Sequence, residues 1–221
     1  MIKAIIFDLD GVLIDSEGLW RKAAEKYFRS IGIKLPQGKA FGRFASQYLS
    51  GRKLNDIAGI FQKKLHVKNS HKQITDGLIK MVLKLFDRHL KLNPGALKLI
   101  KTLNKGKYPL LLASSSPRRV INYTLNRFRL HKYFAGVVSG DNVRKGKPHP
   151  EIFLKGAKLL KTQPRDIAVV EDSISGIRAA SRAGMKCIAL KQPHTEKKYT
   201  KTASLIVNKL SQITIDKIKN L

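Results

Sequence analysis

Six short apolar runs along the chain predict buried β-strands. The first occupies residues 5–7, and two others, LLLASSS at 110–116 and IAVVED at 167–172, end in hydroxyl or acidic residues. Runs without apolar–polar alternation are typical of parallel strands that are covered on both faces. The other three runs lie at 136–140, 185–190 and 204–207.

Helical patterns alternate with these runs from residue 94 onward. Pro117 and Pro150 suit the first turn of a helix, and Gly184 suits the position just after a helix end. Alternating strands and helices predict the α/β class, here a Rossmann-like, doubly wound parallel sheet. The predicted helices of this region are 94–104, 117–128, 150–160, 174–183 and 212–220.

The interval between the first two predicted strands breaks this rhythm. It shows helical patterns at 20–31, 54–65 and 74–90 and no convincing strand. A simple βαβ unit needs only about thirty residues, so the interval must hold an inserted domain. We therefore expect a core formed by residues 1–15 and 93–221, and an inserted α-helical domain at 16–92.

Composition limits the class of protein. No segment of about twenty apolar residues could span a membrane. The chain enters strand sequence at once, without a signal-peptide pattern. Cys187 is the only cysteine and lies in an apolar run, so an intrachain disulfide is excluded and the thiol is expected to be buried and inert. These features predict a cytoplasmic protein. We expect a monomer or weak oligomer, although no sequence feature specifies the oligomeric state.

The formal net charge of +29 raises a second possibility. A balance this basic can indicate nucleic acid or another polyanion as a partner. The excess is spread along the chain, however, since residues 16–92 alone hold 17 Lys and Arg against 5 Asp and Glu. Few aromatic residues accompany it, unlike in single-strand binding sites. We interpret the charge as a general lysine bias and retain a polyanion surface as the alternative.

Polar residues follow the predicted strands where a parallel sheet places its ligands. Asp8 and Asp10 follow the first strand, Ser114 ends the second, and Glu171 and Asp172 end the fourth. Gly11 supplies a turn that can bring the first two carboxylates to one site. Lys147 lies in the loop GKPHPEIF before a predicted helix.

Each of these residue types has a task in phosphoryl transfer. Mg²⁺ takes one or two carboxylates together with substrate phosphate and water. One carboxylate can serve as a nucleophile and a second can transfer protons. A lysine and hydroxyl groups can stabilise charge on the transferring phosphoryl group.

These segments resemble the four motifs of the haloacid dehalogenase superfamily. They stand in the family's order as FDLDGVLIDS, LLLASSS, GKPHPEIF and VVEDSISGIRAASRAG, and the helical insert corresponds to the family's cap domain. The resemblance covers essentially the whole chain. It is strongest with the branch of β-phosphoglucomutase and the small sugar-phosphate phosphatases.

The resemblance implies a role for each matching residue. Asp8 would be the nucleophile and Asp10 the general acid/base. The dehalogenating relatives lack the second aspartate, so Asp10 favours phosphoryl transfer. The implied ligand sets are Asp8, the Asp10 main-chain carbonyl, Asp172 and nearby Glu171 for Mg²⁺, and Ser114, Ser115 and Lys147 for phosphate.

The flanking residues carry less certain expectations. Asp15 and Ser16 are expected to cap a helix or serve as a hinge. Ser115 and Ser116 either contact phosphate or satisfy the helix start at Pro117.

Two cap residues are candidate substrate contacts. Trp20 occupies the place where the resembling mutases carry a catalytic histidine, and it either lines the pocket or packs inside the cap. Because tryptophan cannot transfer a proton there, the mutase interpretation is weakened. Arg52 lies where mutase-like relatives carry a substrate-specificity loop, and could hold a distal anion.

The sequence thus predicts a Mg²⁺-dependent phosphatase of a small phosphorylated metabolite, a sugar phosphate, acting through an aspartyl-phosphate. A β-phosphoglucomutase-type activity is one alternative. A polyanion-binding protein with a secondary phosphatase site is the alternative from another class.

Overall fold

The structure, a computed structural model, describes residues 1–36, 38–49, 51–191 and 202–221. Its strands are β1 (Ala4–Phe7), β2 (Ile14–Asp15), β3 (Lys91–Leu92), β4 (Leu110–Ser114), β5 (Gly136–Ser139), β6 (Ile167–Glu171), β7 (Lys186–Leu190) and β8 (Leu205–Val207). Six of them form one parallel sheet in the order β5-β4-β1-β6-β7-β8. All six predicted strands are therefore confirmed, with ends shifted by one or two residues.

The helices alternate with the strands as predicted. They are α1 (Glu17–Ser30), α2 (Gly38–Tyr48), α3 (Leu54–Leu65), α4 (His71–His89), α5 (Ala96–Lys105), α6 (Arg118–Arg127), α7 (Glu151–Leu160), α8 (Ile174–Arg182) and α9 (Ile215–Lys219). Helix α2 is an addition to the prediction, since Gly38 and Gly42 lower its helix propensity. Among the described residues, no helix combines the length and apolarity needed to cross a membrane.

The sheet buries apolar side chains on both faces. Alternation along β1 sends Ile5 and Phe7 into one hydrophobic cluster and Ala4 and Ile6 into another. Helices α5 and α6 contribute to the first cluster, and α7 and α8 to the second. This two-sided burial explains the apolar runs without alternation and confirms the doubly wound α/β fold.

Helices α1 to α4 lie between β1 and β4 in the sequence. They pack on one another through aromatic contacts such as Phe28–Phe61, with ring centroids 4.4 Å apart. The antiparallel pair β2–β3 joins Ile14 to Leu92 and Asp15 to Lys91. The chain thus enters and leaves this helical segment, which we call the cap, through one narrow ribbon. The proposed division at 15/16 and 92/93 falls at that ribbon.

Candidate active site

Asp8 lies at the carboxyl end of β1, in the middle of the sheet. Its backbone N–H donates to the carbonyl of Val170 on β6, so its position is fixed by the sheet. The chain then turns at Gly11, which has a φ of +76°. A Cβ on Gly11 would lie 2.0 Å from Oδ2 of Asp172, so only glycine lets this carboxylate approach the turn. The turn therefore brings the first and fourth motifs together.

Lys147 forms the buried cationic centre of the site. Its ammonium donates to Oδ1 of Asp8 at 2.7 Å and to Oε1 of Glu171 at 2.5 Å. The Lys147 side chain is 1% exposed, and its ammonium also lies over the ring of Phe153. A lysine so buried requires partners of opposite charge, and these two carboxylates supply them.

Glu171 links Lys147 to the loop after β6. Its Oε2 accepts hydrogen bonds from the backbone N–H groups of Asp172 and Ser173, both at 2.8 Å, and from the Ser173 hydroxyl at 3.0 Å. With Oε1 on Lys147, both oxygens of the carboxylate have donors. These contacts suit a residue that holds Lys147 and the loop better than a direct metal ligand.

The loop that carries Lys147 is held by Glu151 in the first turn of α7. The Glu151 carboxylate accepts from the backbone N–H groups of Arg144 and Lys145 at 3.1 and 3.0 Å. The bond from Lys145, the bond from Arg144 and the nearby Lys155 ammonium lower the pKa of Glu151 to about 2. The carboxylate therefore fixes this loop throughout the neutral pH range.

Charge in the cluster is not balanced by protein groups alone. Burial raises the pKa of Asp8 to about 8, helped by Glu171 and Asp10 and opposed by Lys147. The pKa of Asp172 is also raised well above its usual range, by burial and by Glu171 and Asp8. The two acidic partners outweigh burial at Lys147 and raise its pKa. Three carboxylates therefore share one ammonium, and ionisation of all three would leave an excess of negative charge.

This excess fits a divalent cation. Asp8 and Asp172 supply hard oxygen atoms, and the absent side chain of Gly11 gives Asp172 room. Within the described ranges, no group of three His, Cys, Asp or Glu side chains forms a complete metal cage. Mg²⁺ commonly uses only one or two carboxylates, with water and substrate phosphate completing its shell. The donor set therefore suits Mg²⁺ better than a tightly caged metal.

Asp10 has a different environment, made of hydroxyl and indole donors. Its Oδ1 accepts from the Ser16 hydroxyl at 2.6 Å and from Nε1 of Trp20 at 3.0 Å. Its Oδ2 accepts from the Ser116 hydroxyl at 2.7 Å and from the Ser114 hydroxyl at 3.3 Å. The carboxylate thus joins the start of the cap to the end of β4.

These contacts decide several sequence expectations. Ser16 occupies the N-cap position of α1, as expected, but its hydroxyl makes no capping hydrogen bond and donates to Asp10 instead. Trp20 faces the site through its N–H while its ring meets Phe86 edge-to-face, so both of its expected locations hold in part. Ser114 lies beside Asp10, with its hydroxyl 3.3 Å from Oδ2.

The cap is closed over the site in this structure. The Ser115 hydroxyl donates to the carbonyl of Gly51 at 2.7 Å. Nζ of Lys53 donates to the carbonyl of Arg144, in the loop that carries Lys147, at 2.7 Å. Arg52, between these two cap residues, has an exposed side chain. The first contact is made by Ser115, for which the sequence leaves phosphate contact and the helix start at Pro117 as alternatives.

Three participants in this arrangement escaped the sequence analysis. The sequence indicates a cap or hinge role for Ser16, leaves Ser116 between phosphate and the helix start, and gives no signal for Lys53. The only sequence signal for the contacts of Ser16 and Ser116 with Asp10 is that both are hydroxyl residues at the ends of the first and second motifs. The surface lysines around Lys53 look the same in sequence, so its contact with the Arg144 carbonyl had no distinctive pattern.

Comparisons with known proteins agree with this geometry. A family model described as haloacid dehalogenase-like hydrolase matches residues 5–190. The "Phosphorylated carbohydrates phosphatase" of Thermotoga maritima is 34% identical over 191 residues, which are 85% of this chain and 84% of that protein. Hexitol phosphatase A of Escherichia coli is 29% identical, covering 99% of this chain and 96% of its own length.

A solved structure extends the likeness to the whole fold. The β-phosphoglucomutase of Clostridium difficile superposes with a TM-score of 0.83 at 25% identity. The match covers 100% of this chain and 96% of that one. The similarity therefore includes the cap as well as the sheet.

Proposed function

Because the chain belongs to the haloacid dehalogenase-like hydrolases, we propose that it is a phosphatase of small phosphorylated carbohydrates. The observation that carries this proposal is the Lys147–Asp8 contact of 2.7 Å at the end of β1. It presents a carboxylate nucleophile and a cation for phosphoryl oxygens at one point. Asp10, two residues on, supplies a second carboxyl group for proton transfer.

The substrate class follows from the relatives and the chemistry of the site. The two relatives described above are named for phosphatase activity on phosphorylated carbohydrates and on hexitol phosphates. A sugar phosphate offers one dianionic phosphoryl group and a polar body that the cap can cover.

Mg²⁺ would be held by Asp8, Asp172 and the main-chain carbonyl of Asp10. When bound, it would neutralise part of the carboxylate charge and polarise the phosphoryl oxygens. Glu171 would contribute by holding Lys147 in place.

In the first step, a carboxylate oxygen of Asp8 attacks phosphorus in line with the ester oxygen. The phosphorus–ester oxygen bond breaks, and the bond from phosphorus to Asp8 forms. Lys147 and Ser114 hold the phosphoryl oxygens, and Asp10 gives its proton to the departing alkoxide.

In the second step, Asp10 takes a proton from a water molecule. The water oxygen attacks the phosphorus of the aspartyl-phosphate, and the bond to Asp8 breaks. Inorganic phosphate leaves, and both aspartates regain their starting states. The same carboxyl group thus serves as acid and then as base.

Opening of the cap would admit substrate. Asp8, Ser114, Ser116 and Lys147 are all less than 10% exposed in the closed arrangement. Entry therefore requires the contacts of Ser115 with Gly51 and of Lys53 with Arg144 to break. Their reformation would exclude bulk water from the reaction.

A phosphosugar mutase is the second candidate, favoured by the whole-chain likeness to a β-phosphoglucomutase. A mutase needs its phosphoenzyme to survive until the sugar has reoriented. Trp20, unlike histidine, cannot transfer a proton to assist that exchange. Transfer to water is therefore the outcome that this chain favours.

One experiment separates the two activities. Purified protein with Mg²⁺ is given a panel of hexose, pentose and hexitol phosphates, and both phosphate release and isomer conversion are measured. Phosphate release that exceeds interconversion of glucose 1- and 6-phosphates is the expected result. Interconversion without phosphate release would establish the mutase, and neither activity on any ester would reject the proposal.

A further inference from the structure

The contact between Trp20 and Asp10 carries an inference beyond the general reaction, although it rests on the proposed function. Two cap-side groups, Ser16 and Trp20, donate to Oδ1 of Asp10, and two serines from the end of β4 donate to Oδ2. The two oxygens of the general acid/base are therefore held by different parts of the molecule.

The two sets of donors differ chemically. A serine hydroxyl can donate or accept, so Ser114 and Ser116 can reverse their hydrogen bonds when Oδ2 carries a proton. An indole N–H can only donate. Oδ1, at 3.0 Å from Nε1 of Trp20, is thus held as an acceptor in every protonation state.

We propose that Trp20 is a positioning residue that reserves Oδ1 of Asp10 as an acceptor and leaves Oδ2 to exchange the proton with the leaving group and water. Oδ2 is the oxygen on the side of Ser114, where the phosphoryl group is expected. A carboxylate free to rotate would present the wrong oxygen part of the time.

Packing of the cap fixes the indole. The Trp20 ring meets the ring of Phe86 edge-to-face, with centroids 6.3 Å apart, and Phe86 is fully buried in α4. Trp20 belongs to the second turn of α1, which packs against α4. The orientation of the Asp10 carboxylate therefore depends on how α1 and α4 pack against each other.

Two substitutions at position 20 separate hydrogen bonding from packing. Trp20→Phe keeps an aromatic ring against Phe86 and loses the donor, whereas Trp20→His keeps an N–H donor and loses much of the packing. With p-nitrophenyl phosphate and Mg²⁺, we expect Trp20→Phe to lower kcat on the order of tenfold with KM within about twofold. Trp20→His should recover part of kcat while melting at a lower temperature than Trp20→Phe.

If Trp20 served only in packing, the two variants would rank in the same order by kcat and by melting temperature. Trp20→Phe would then be both the more stable and the more active variant. That outcome, in a wild-type protein that releases phosphate, would overturn the positioning role and leave the proposed function intact.

A spectroscopic test needs no turnover. Trp20 is the chain's only tryptophan, so its fluorescence reports this contact alone. Asp10→Asn should shift its emission, because an amide replaces the carboxyl group that accepts from the indole N–H. Asp15→Asn, which removes an exposed carboxylate five residues from Trp20, should not. Identical spectra for the two variants would overturn the contact, even if the protein had no phosphatase activity.

Discussion

The ammonium of Lys147 and the carboxylate of Asp8 form a buried ion pair, 2.7 Å apart, although 139 positions separate them in the sequence. The pair places the ammonium of the third motif on the carboxylate of the first before substrate arrives. Glu171 is the second partner of Lys147, at 2.5 Å. Binding of a phosphoryl group would extend this network, since a lysine ammonium has three donors.

Loss of the ammonium should destabilise the protein as well as inactivate it. Lys147→Met leaves buried carboxylates without their cation, which costs about 3–5 kcal/mol of unfolding free energy. Chemical denaturation in EDTA measures this loss. Lys145→Met, on the exposed part of the same loop, is the matched control and should change little. Equal stabilities for the two variants would show that the ion pair contributes nothing to folding.

The metal-free protein should lose stability as the pH rises. The pKa of Asp8 in the fold is about 8, raised from its ordinary value near 4 by burial and neighbouring carboxylates. A carboxyl group whose pKa is raised by folding contributes stability that is fully present below pH 4 and is lost as the pH rises through 8. In EDTA, Tm should therefore fall between pH 5 and 8, on the order of 5 °C.

Two comparisons isolate this effect. Asp8→Asn removes the titrating group, so its Tm should vary less over the same range. Added Mg²⁺ should raise Tm more at pH 8 than at pH 5, because it binds the ionised carboxylates. A wild-type Tm that rises with pH in EDTA would contradict the raised pKa of Asp8.

Sequence reasoning succeeded where chain topology alone decides position. Asp8, Ser114 and Glu171 end adjacent parallel strands, so their convergence follows from the strand order. Sequence reasoning failed where the hydrogen-bond partner of a side chain depends on packing between elements that are distant in the sequence. Serine is a residue type favoured at the helix N-cap, yet the turn at Gly11 brings the Asp10 carboxylate within hydrogen-bonding distance of the Ser16 hydroxyl. The hydrogen bond of the Ser16 hydroxyl to a carboxylate is stronger than the bond that it could make with a backbone N–H at the start of α1.

The cap shows the same limit. Helices α3 and α4 follow from apolar periodicity. The contacts of Trp20 with Asp10 and of Gly51 with Ser115 depend on how the cap settles on the sheet. No spacing rule in the sequence specifies that orientation.

Metal affinity should depend on Asp172. Asp172→Ala removes one oxygen donor, and its half-saturating Mg²⁺ concentration should rise about tenfold or more, with part of the activity recovered at high Mg²⁺. The measurement is a Mg²⁺ titration of phosphate release. Asp216→Ala, at the exposed start of α9, is the control. An unchanged half-saturation point with normal turnover would exclude Asp172 as a ligand.

Salt should affect substrate capture more than chemistry. The formal charge of +29 attracts anionic esters over long range, and this attraction is screened beyond about 8 Å at physiological ionic strength. Lys147 acts at contact distance in a buried site and is screened less. Raising NaCl from 20 to 300 mM (roughly the range in which screening changes most) should lower kcat/KM much more than kcat. Equal decreases would assign the salt effect to the site itself.

Duplex DNA tests the alternative meaning of the same charge. A general lysine bias predicts weak competition by DNA at physiological salt. A gel-shift series over increasing salt measures it. Submicromolar binding at about 150 mM salt would approach the affinity of dedicated binders and would favour the polyanion-binding alternative.

The most direct test is to capture the phosphoryl group on Asp8. Wild-type protein turning over its best sugar phosphate is quenched in acid, digested and examined by mass spectrometry, beside Asp8→Asn. The account predicts one added phosphoryl group on the wild-type peptide that contains Asp8, and phosphate release by Asp8→Asn below about 1% of wild type. Phosphate release by Asp8→Asn at the wild-type rate, with no phosphorylated peptide in either protein, would contradict it.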